Sequence, residues 1–316
     1  MVDAPFVPAE EGRLDERPGL GYPMVATAAT LFGVNGSVSK VVLGSGLSSP
    51  QLAQIRATGA ALGLLLFLVL FARASLRVDR RELAFLALFG VVGVASVQWL
   101  YFVAIEHLPV GIALLIEFTA PLFVALFVRF VYREPIRRRI WAALTLCIVG
   151  LSIVVELWGG VDLDTVGITA AFCGAFALTA YMLMAERERK HRDPVSLSFY
   201  GFAFAALFWA LVQPVWQFPW DVLDDRVSLQ GNLSEYTAPV WFLVASIVVF
   251  GTMITFSLLT GALRHIPATR AAIVATLEPV VATVVAWLWL GESFGAAQLV
   301  GGAIVLAGII LAQTSR

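Results

Sequence analysis

YFVAIEHLPVGIALLIEFTAPLFVALFVRFVYRE, residues 101–134, is answered 158 positions later by LTGALRHIPATRAAIVATLEPVVATVVAWLWLGE, residues 259–292. At that one offset His107 falls on His265, Pro109 on Pro267, Ala113 on Ala271, Pro121 on Pro279 and Glu134 on Glu292; further on, Gly150 falls on Gly308. Six coincidences at a single shift, inside apolar sequence, mark a chain built from two copies of one membrane unit.

Composition fits that reading. Of 316 residues 59% are hydrophobic and only 14% charged, and mean hydropathy is +0.87, which describes a chain solvated by lipid. The net charge of −1 and the lack of any nucleic-acid motif exclude a nucleic-acid partner. Cys147 and Cys173 stand in apolar runs without metal-ligand spacing and read as small buried hydrophobes. Residues 1–21, rich in acids and prolines, read as a cytoplasmic tail and not as a cleaved signal.

Ten apolar segments of roughly membrane-spanning length lie near 22–42, 51–72, 82–104, 110–130, 138–156, 165–185, 195–216, 239–262, 268–290 and 296–313. Short breaker-rich joints separate most of them, among them GSGLSSP, EHLP, REPIRRR, RHIP and GESFG. Residues 217–238 form the one longer connection and read as a solvated acidic loop. With the N-terminus inside, the inner segments hold 18 of the 21 Lys and Arg and the outer ones hold Arg226 alone. Positive loops stay cytoplasmic, so both termini are expected there. Five helices per copy is an odd number, so equivalent loops fall on opposite faces: EHLP outside against RHIP inside, REPIRRR inside against GESFG outside. The expected fold is an all-α polytopic membrane protein whose ten transmembrane helices form two inverted-topology five-helix repeats, 22–156 and 165–313. Such repeats suit secondary transporters, with a midplane substrate site between rocking halves.

The duplicated Leu108–Glu134 and Ile266–Glu292 pattern, Leu277-Glu278-Pro279, Leu290-Gly291-Glu292 and the opening LFGVNGSVSK at 31–40 resemble EamA-type members of the drug/metabolite transporter superfamily. The resemblance covers all ten segments. It implies a single-chain ten-helix carrier in the inner membrane, an exporter of amino acids or other small metabolites with a central cavity lined by both halves. Relatives that carry drug-like, phosphorylated or nucleotide-sugar solutes are the alternative. The scarcity of embedded cations favours a small, weakly charged or zwitterionic solute.

Ionisable groups at bilayer depth are functional candidates by default. Glu278 precedes Pro279, which frees a backbone carbonyl one turn back, and Glu117 lies one turn before Pro121. Either carboxylate could hold a coupling proton or a substrate ammonium; fold support is the competing role, and it weighs most for Glu278. Arg56 is deep enough to need a carboxylate or carbonyl partner, Glu117 among them, while Lys40 is expected to snorkel to the outer interface. Asn35, Gln98, Trp99, Tyr181, Thr252 and Thr255 complete the candidate pocket, although helix packing explains each taken singly. Trp209, Trp216, Trp220, Trp241, Trp287 and Trp289 suit the interface belts. No hydrolase, zinc-protease or phosphate-loop motif is present, so the chain is read as a non-enzyme with neither cofactor nor metal. A passive channel, scaffold or sensor fits an internal repeat less well than a carrier does. The expected partners are a small-molecule substrate, the lipid bilayer and coupling protons, in a monomer or homodimer.

Overall fold

The computed structural model describes residues 18–131, 138–154, 164–188, 192–262, 265–266, 274–275 and 277–314. The tail to residue 17, Glu134, Pro267, Ala271 and the basic residues Arg133, Arg137, Arg189, Lys190, Arg264, Arg270 and Arg316 lie outside the described residues.

The chain opens with α1 (Pro18–Leu43) and α2 (Ser49–Phe71). A single rod follows, made of α3 (Arg80–Leu88), the π-helical turn π1 (Phe89–Ala95) and α4 (Ser96–His107). Next come α5 (Val110–Glu117), α6 (Ala120–Phe130), α7 (Arg138–Val154), α8 (Thr165–Glu188) and α9 (Pro194–Val212). A second rod runs through α10 (Val240–Val248), π2 (Val249–Ile254) and α11 (Thr255–Ala262). The last are α12 (Leu277–Val285), which continues into π3 (Ala286–Leu290), and α13 (Ala296–Gln313). Among the described residues six runs are long and apolar enough to cross a membrane: Gly19–Leu43, Ser49–Phe71, Glu82–His107, Thr165–Ala185, Val195–Val212 and Val240–Leu259. Shorter apolar helices at Val110–Val124, Trp141–Ile153, Leu277–Leu290 and Ala296–Leu311 stand where the other expected segments fall.

Local chemistry explains the breaks. Pro121 cannot donate a hydrogen bond to the carbonyl of Glu117 four residues back, so the helix interrupts at Phe118-Thr119. Tighter Thr119 N to Ile116 O (3.1 Å) and Leu122 N to Thr119 O (2.9 Å) bonds carry the chain across. At α9, Asp193 Oδ2 accepts from Ser196 N at 3.2 Å and Pro194 takes the first helical position. In the π turns, hydroxyls fold back onto carbonyls five residues earlier: Ser96 Oγ to Val91 O at 3.0 Å, Thr252 Oγ1 to Ile247 O at 3.2 Å, and Thr255 Oγ1 to Phe250 O.

The packing echoes the internal repeat. α2 lies against α9 and α7 against α13; α1 lies against α11 and α12, while α8 lies against α4 and α5. Exchange of the two halves turns each of these pairings into itself or into another. The 158-residue shift carries π1 onto residues 247–253, which overlap π2, and Gly93 onto Gly251. A Cβ on Gly150 would meet Gly301 O and Val305, and one on Gly308 would meet Ala143 O and Cys147, the same contact read from the other side. Cys147 Sγ donates to Val305 O at 3.6 Å, a bond between a residue and its own counterpart.

The 217–238 connection is more ordered than a solvated loop. Short β1 (Arg226–Ser228) and β2 (Thr237–Pro239) pair antiparallel, and Phe218, Val222, Leu223, Val227 and Leu229 turn inward, while Asp221, Asp224, Asp225 and Glu235 stay exposed. The turn between the strands holds Gln230 and Gly231 at positive φ. Gly231 is required on steric grounds too, because a Cβ there would lie 2.3 Å from the backbone carbon of Leu290.

Candidate functional site

Arg56 enters from α2 and is 6% exposed. Its Nε donates to Thr252 Oγ1 at 2.9 Å and its Nη2 to Gly251 O at 3.3 Å, and its guanidinium carbon sits 5.6 Å from the centroid of the Phe102 ring. The partners of the buried cation are therefore a hydroxyl and a carbonyl of π2. Among the described residues no carboxylate lies within 4.0 Å of Arg56. Glu117, Glu278 and Tyr101 stand within its electrostatic reach at longer range. Glu117 closes α5, all eight residues of which are buried, and Glu278 occupies the first turn of α12.

Asn35 belongs to the same group. A Cβ added to Gly251 would fall 2.1 Å from Asn35 Oδ1, and that oxygen is buried with no hydrogen-bond partner. Tyr101, which the sequence reading did not single out, brings its hydroxyl against Gly36, where an added Cβ would lie 2.6 Å from it. Gln98, 7% exposed, also holds an unpartnered carbonyl oxygen. A buried polar group normally finds a partner, so these acceptors define the polar part of the interior. The group therefore contains one fixed cation, two acids and the unsatisfied acceptor of Asn35. It is richer in acceptors than in donors.

The other candidates stand elsewhere. Thr255 spends its hydroxyl on the Phe250 carbonyl inside π2. Tyr181 stacks on Phe89 at 5.1 Å beside π1. Trp99 is 39% exposed and packs edge-on to Trp209 at 6.0 Å, in a lateral groove with Pro50, Phe208 and Val212. Trp209, expected in an interface belt, is only 4% exposed. Lys40 has two partners within the protein: its Nζ donates to Glu292 Oε1 at 2.7 Å and to Leu108 O at 2.9 Å. Glu292 was visible in the sequence as a repeat residue, but nothing there named its partner.

At the arginine-poor end, Asp164 starts α8. Its carboxylate accepts from Val166 N at 2.7 Å and Gly167 N at 3.3 Å, and it meets His107 Nδ1 at 3.1 Å. The Gly167 and Val166 amides, then His107, hold this exposed carboxyl below the usual aspartate range.

The sequence profile of the EamA-like transporter family matches the chain twice, over residues 19–156 and 165–314. The chain belongs to this family and is a multi-pass protein of the inner membrane. It is 28% identical over 266 residues to the threonine/homoserine exporter RhtA of Escherichia coli, covering 83% of this chain and 82% of the relative. It is 26% identical over 234 residues to an uncharacterised transporter of Archaeoglobus fulgidus, covering 73% and 76% respectively. It is 25% identical over 268 residues to the uncharacterised transporter YdfC of Bacillus subtilis, covering 84% and 81%. Among the solved structures that match the fold is a crystal structure with a TM-score of 0.56 at 18% identity, over 90% of this chain and 96% of its own.

Proposed function

We propose that this protein is a secondary transporter that exports a small amino acid or a close analogue, using alternating access between two inverted five-helix halves. The observation that carries the reading is the Arg56 group. One buried cation from the first half is held by a π turn of the second, with Glu117 and Glu278 nearby and no ion pair closing the charge. Were both acids ionised, one arginine would leave an excess negative charge in a site where charge is costly. An ammonium group, with three donors, answers both that charge and the unpartnered acceptor of Asn35. The substrate carboxylate faces the arginine. A proton on one of the acids balances the same charge in the return step, which gives exchange of substrate for protons. The reciprocal packing of the halves and the two family matches support ten spans in inverted order with both termini cytoplasmic. RhtA supplies the choice of solute.

The test is thermal unfolding of the purified protein with threonine, homoserine and related amino acids. A ligand at a hundred times its dissociation constant adds about 2.7 kcal/mol of stability. Stabilisation by an amino acid, lost in folded Glu117→Gln or Glu278→Gln, supports the reading. No stabilisation by any amino acid at millimolar concentration removes the substrate class.

A further inference from the structure

We infer that Glu292 is the latch of an outer gate, closed by the end of α1 and the start of α5 and roofed by the β1–β2 hairpin. This rests on the alternating-access reading and is independent of the identity of the solute. Glu292 lies just beyond π3, in the second half. Among the described residues both hydrogen bonds its carboxylate makes reach the first half: Oε1 accepts from Lys40 Nζ at 2.7 Å, and Oε2 from Val110 N at 3.1 Å. The same Lys40 ammonium donates to Leu108 O at 2.9 Å. The carboxylate thus sits on the first amide of α5, where the helix end favours negative charge. The ion pair is only partly exposed, with side chains at 25% and 11%, so it is less screened than a surface pair.

The hairpin completes the closure. Leu229 O accepts from Trp289 Nε1 at 2.8 Å and Asn232 Nδ2 donates to Leu288 O at 3.1 Å, which fixes it to π3. All of those groups belong to the second half. Toward the first half it rests Gln230 on the end of α1, where a Cβ on Gly44 would lie 2.0 Å from Gln230 Nε2. The hairpin therefore travels with the second half and overhangs the first. Tyr101 lies within electrostatic reach of Glu292, Glu278 and Glu117 alike, which links the gate to the site. Opening outward requires Glu292 to leave Lys40 and the Val110 amide together.

The test uses the full chain in intact cells with Cys147 and Cys173 replaced by alanine and Ser37→Cys as reporter. Ser37 is fully buried in α1, one turn below Lys40. The probe is a membrane-impermeant maleimide added outside. Glu292→Gln and Lys40→Met are each expected to raise the labelling rate about tenfold by shifting the population outward. Val110→Pro is a second, independent variant: it removes the amide donor at the first position of α5, where proline is accommodated, and exchanges the buried valine side chain for a ring of similar size. It is expected to raise labelling as well, by several-fold, while Lys40→Arg leaves it low. Unchanged labelling in Val110→Pro and in whichever of the first two variants reaches the membrane at parental levels would overturn the latch. Because the readout needs no substrate, faster labelling with no amino-acid binding would keep the gate and discard only the choice of solute.

Discussion

Two of the seams between the halves are unlike. Between α7 and α13 the contact is apolar and made through small residues: Gly150 rests on Gly301 and Val305, Gly308 rests on Ala143 and Cys147, and each contact mirrors the other. Between α1, α2 and α5 on one side and π2 and α12 on the other it is polar, with Arg56 bonded across it and Asn35 left unpartnered. Lipid gives helices little hydrophobic reason to associate, so close backbone approach through small residues is what holds a seam. The first seam is built to stay shut. The second contains costly groups whose partners are incomplete, which a packing role would not require.

The comparison can be broken first at the apolar seam. Gly308→Leu must displace Cys147 Sγ, which a mere Cβ would already meet at 2.6 Å, and the Ala143 carbonyl at 3.0 Å. Overpacking of this kind costs about 1–3 kcal/mol or more. A lowered melting temperature and a smaller monodisperse fraction in size-exclusion chromatography are expected. The polar seam should behave in the opposite way. Glu117→Gln keeps the shape of the side chain and removes its charge, so a folded protein with export reduced by at least about tenfold is expected. Flux at parental level in that variant would make Glu117 a structural group. Gly251→Ala is milder. Its methyl group meets the far end of Asn35, which can turn aside, so a several-fold loss of transport with little loss of stability is expected.

The smallest effect lies outside both seams. Asp164 has a lowered pKa in the folded protein, so its stabilisation is present above the ordinary aspartate value and is lost as pH falls through the folded value. Asp164→Ala should lower the melting temperature slightly at neutral pH. The gap from the parent should shrink on acidification below the usual aspartate range, and a gap that widens instead would contradict the assignment.

The apolar helices and their breaks were legible in the sequence, because hydropathy and prolines act along the helix axis. Which way a residue faces was not. These helices are apolar on every side, so no stripe marks the inward face. Gln98 and Trp99 are neighbours at equal depth, yet one is buried and the other is 39% exposed beside a lateral groove. The same loss of direction hid Tyr101. Glu292 and Lys40 are 252 residues apart, and the repeat marked the acid without its partner. The π turns were hidden as well, although Gly93 and Gly251 at the 158-residue spacing were a signal for them. The 217–238 hairpin escaped because its exposed acids outweighed the few apolar residues it tucks inward.

The central claim is that the polar seam is the transport site, and counterflow in proteoliposomes tests it most directly. Vesicles loaded with unlabelled threonine and diluted into a trace of labelled threonine should show a transient, saturable accumulation of label. That overshoot should vanish in Glu117→Gln and Arg56→Met while the Lys40→Arg protein retains it. Linear, non-saturating uptake, or an overshoot that survives in both site variants, would contradict the account.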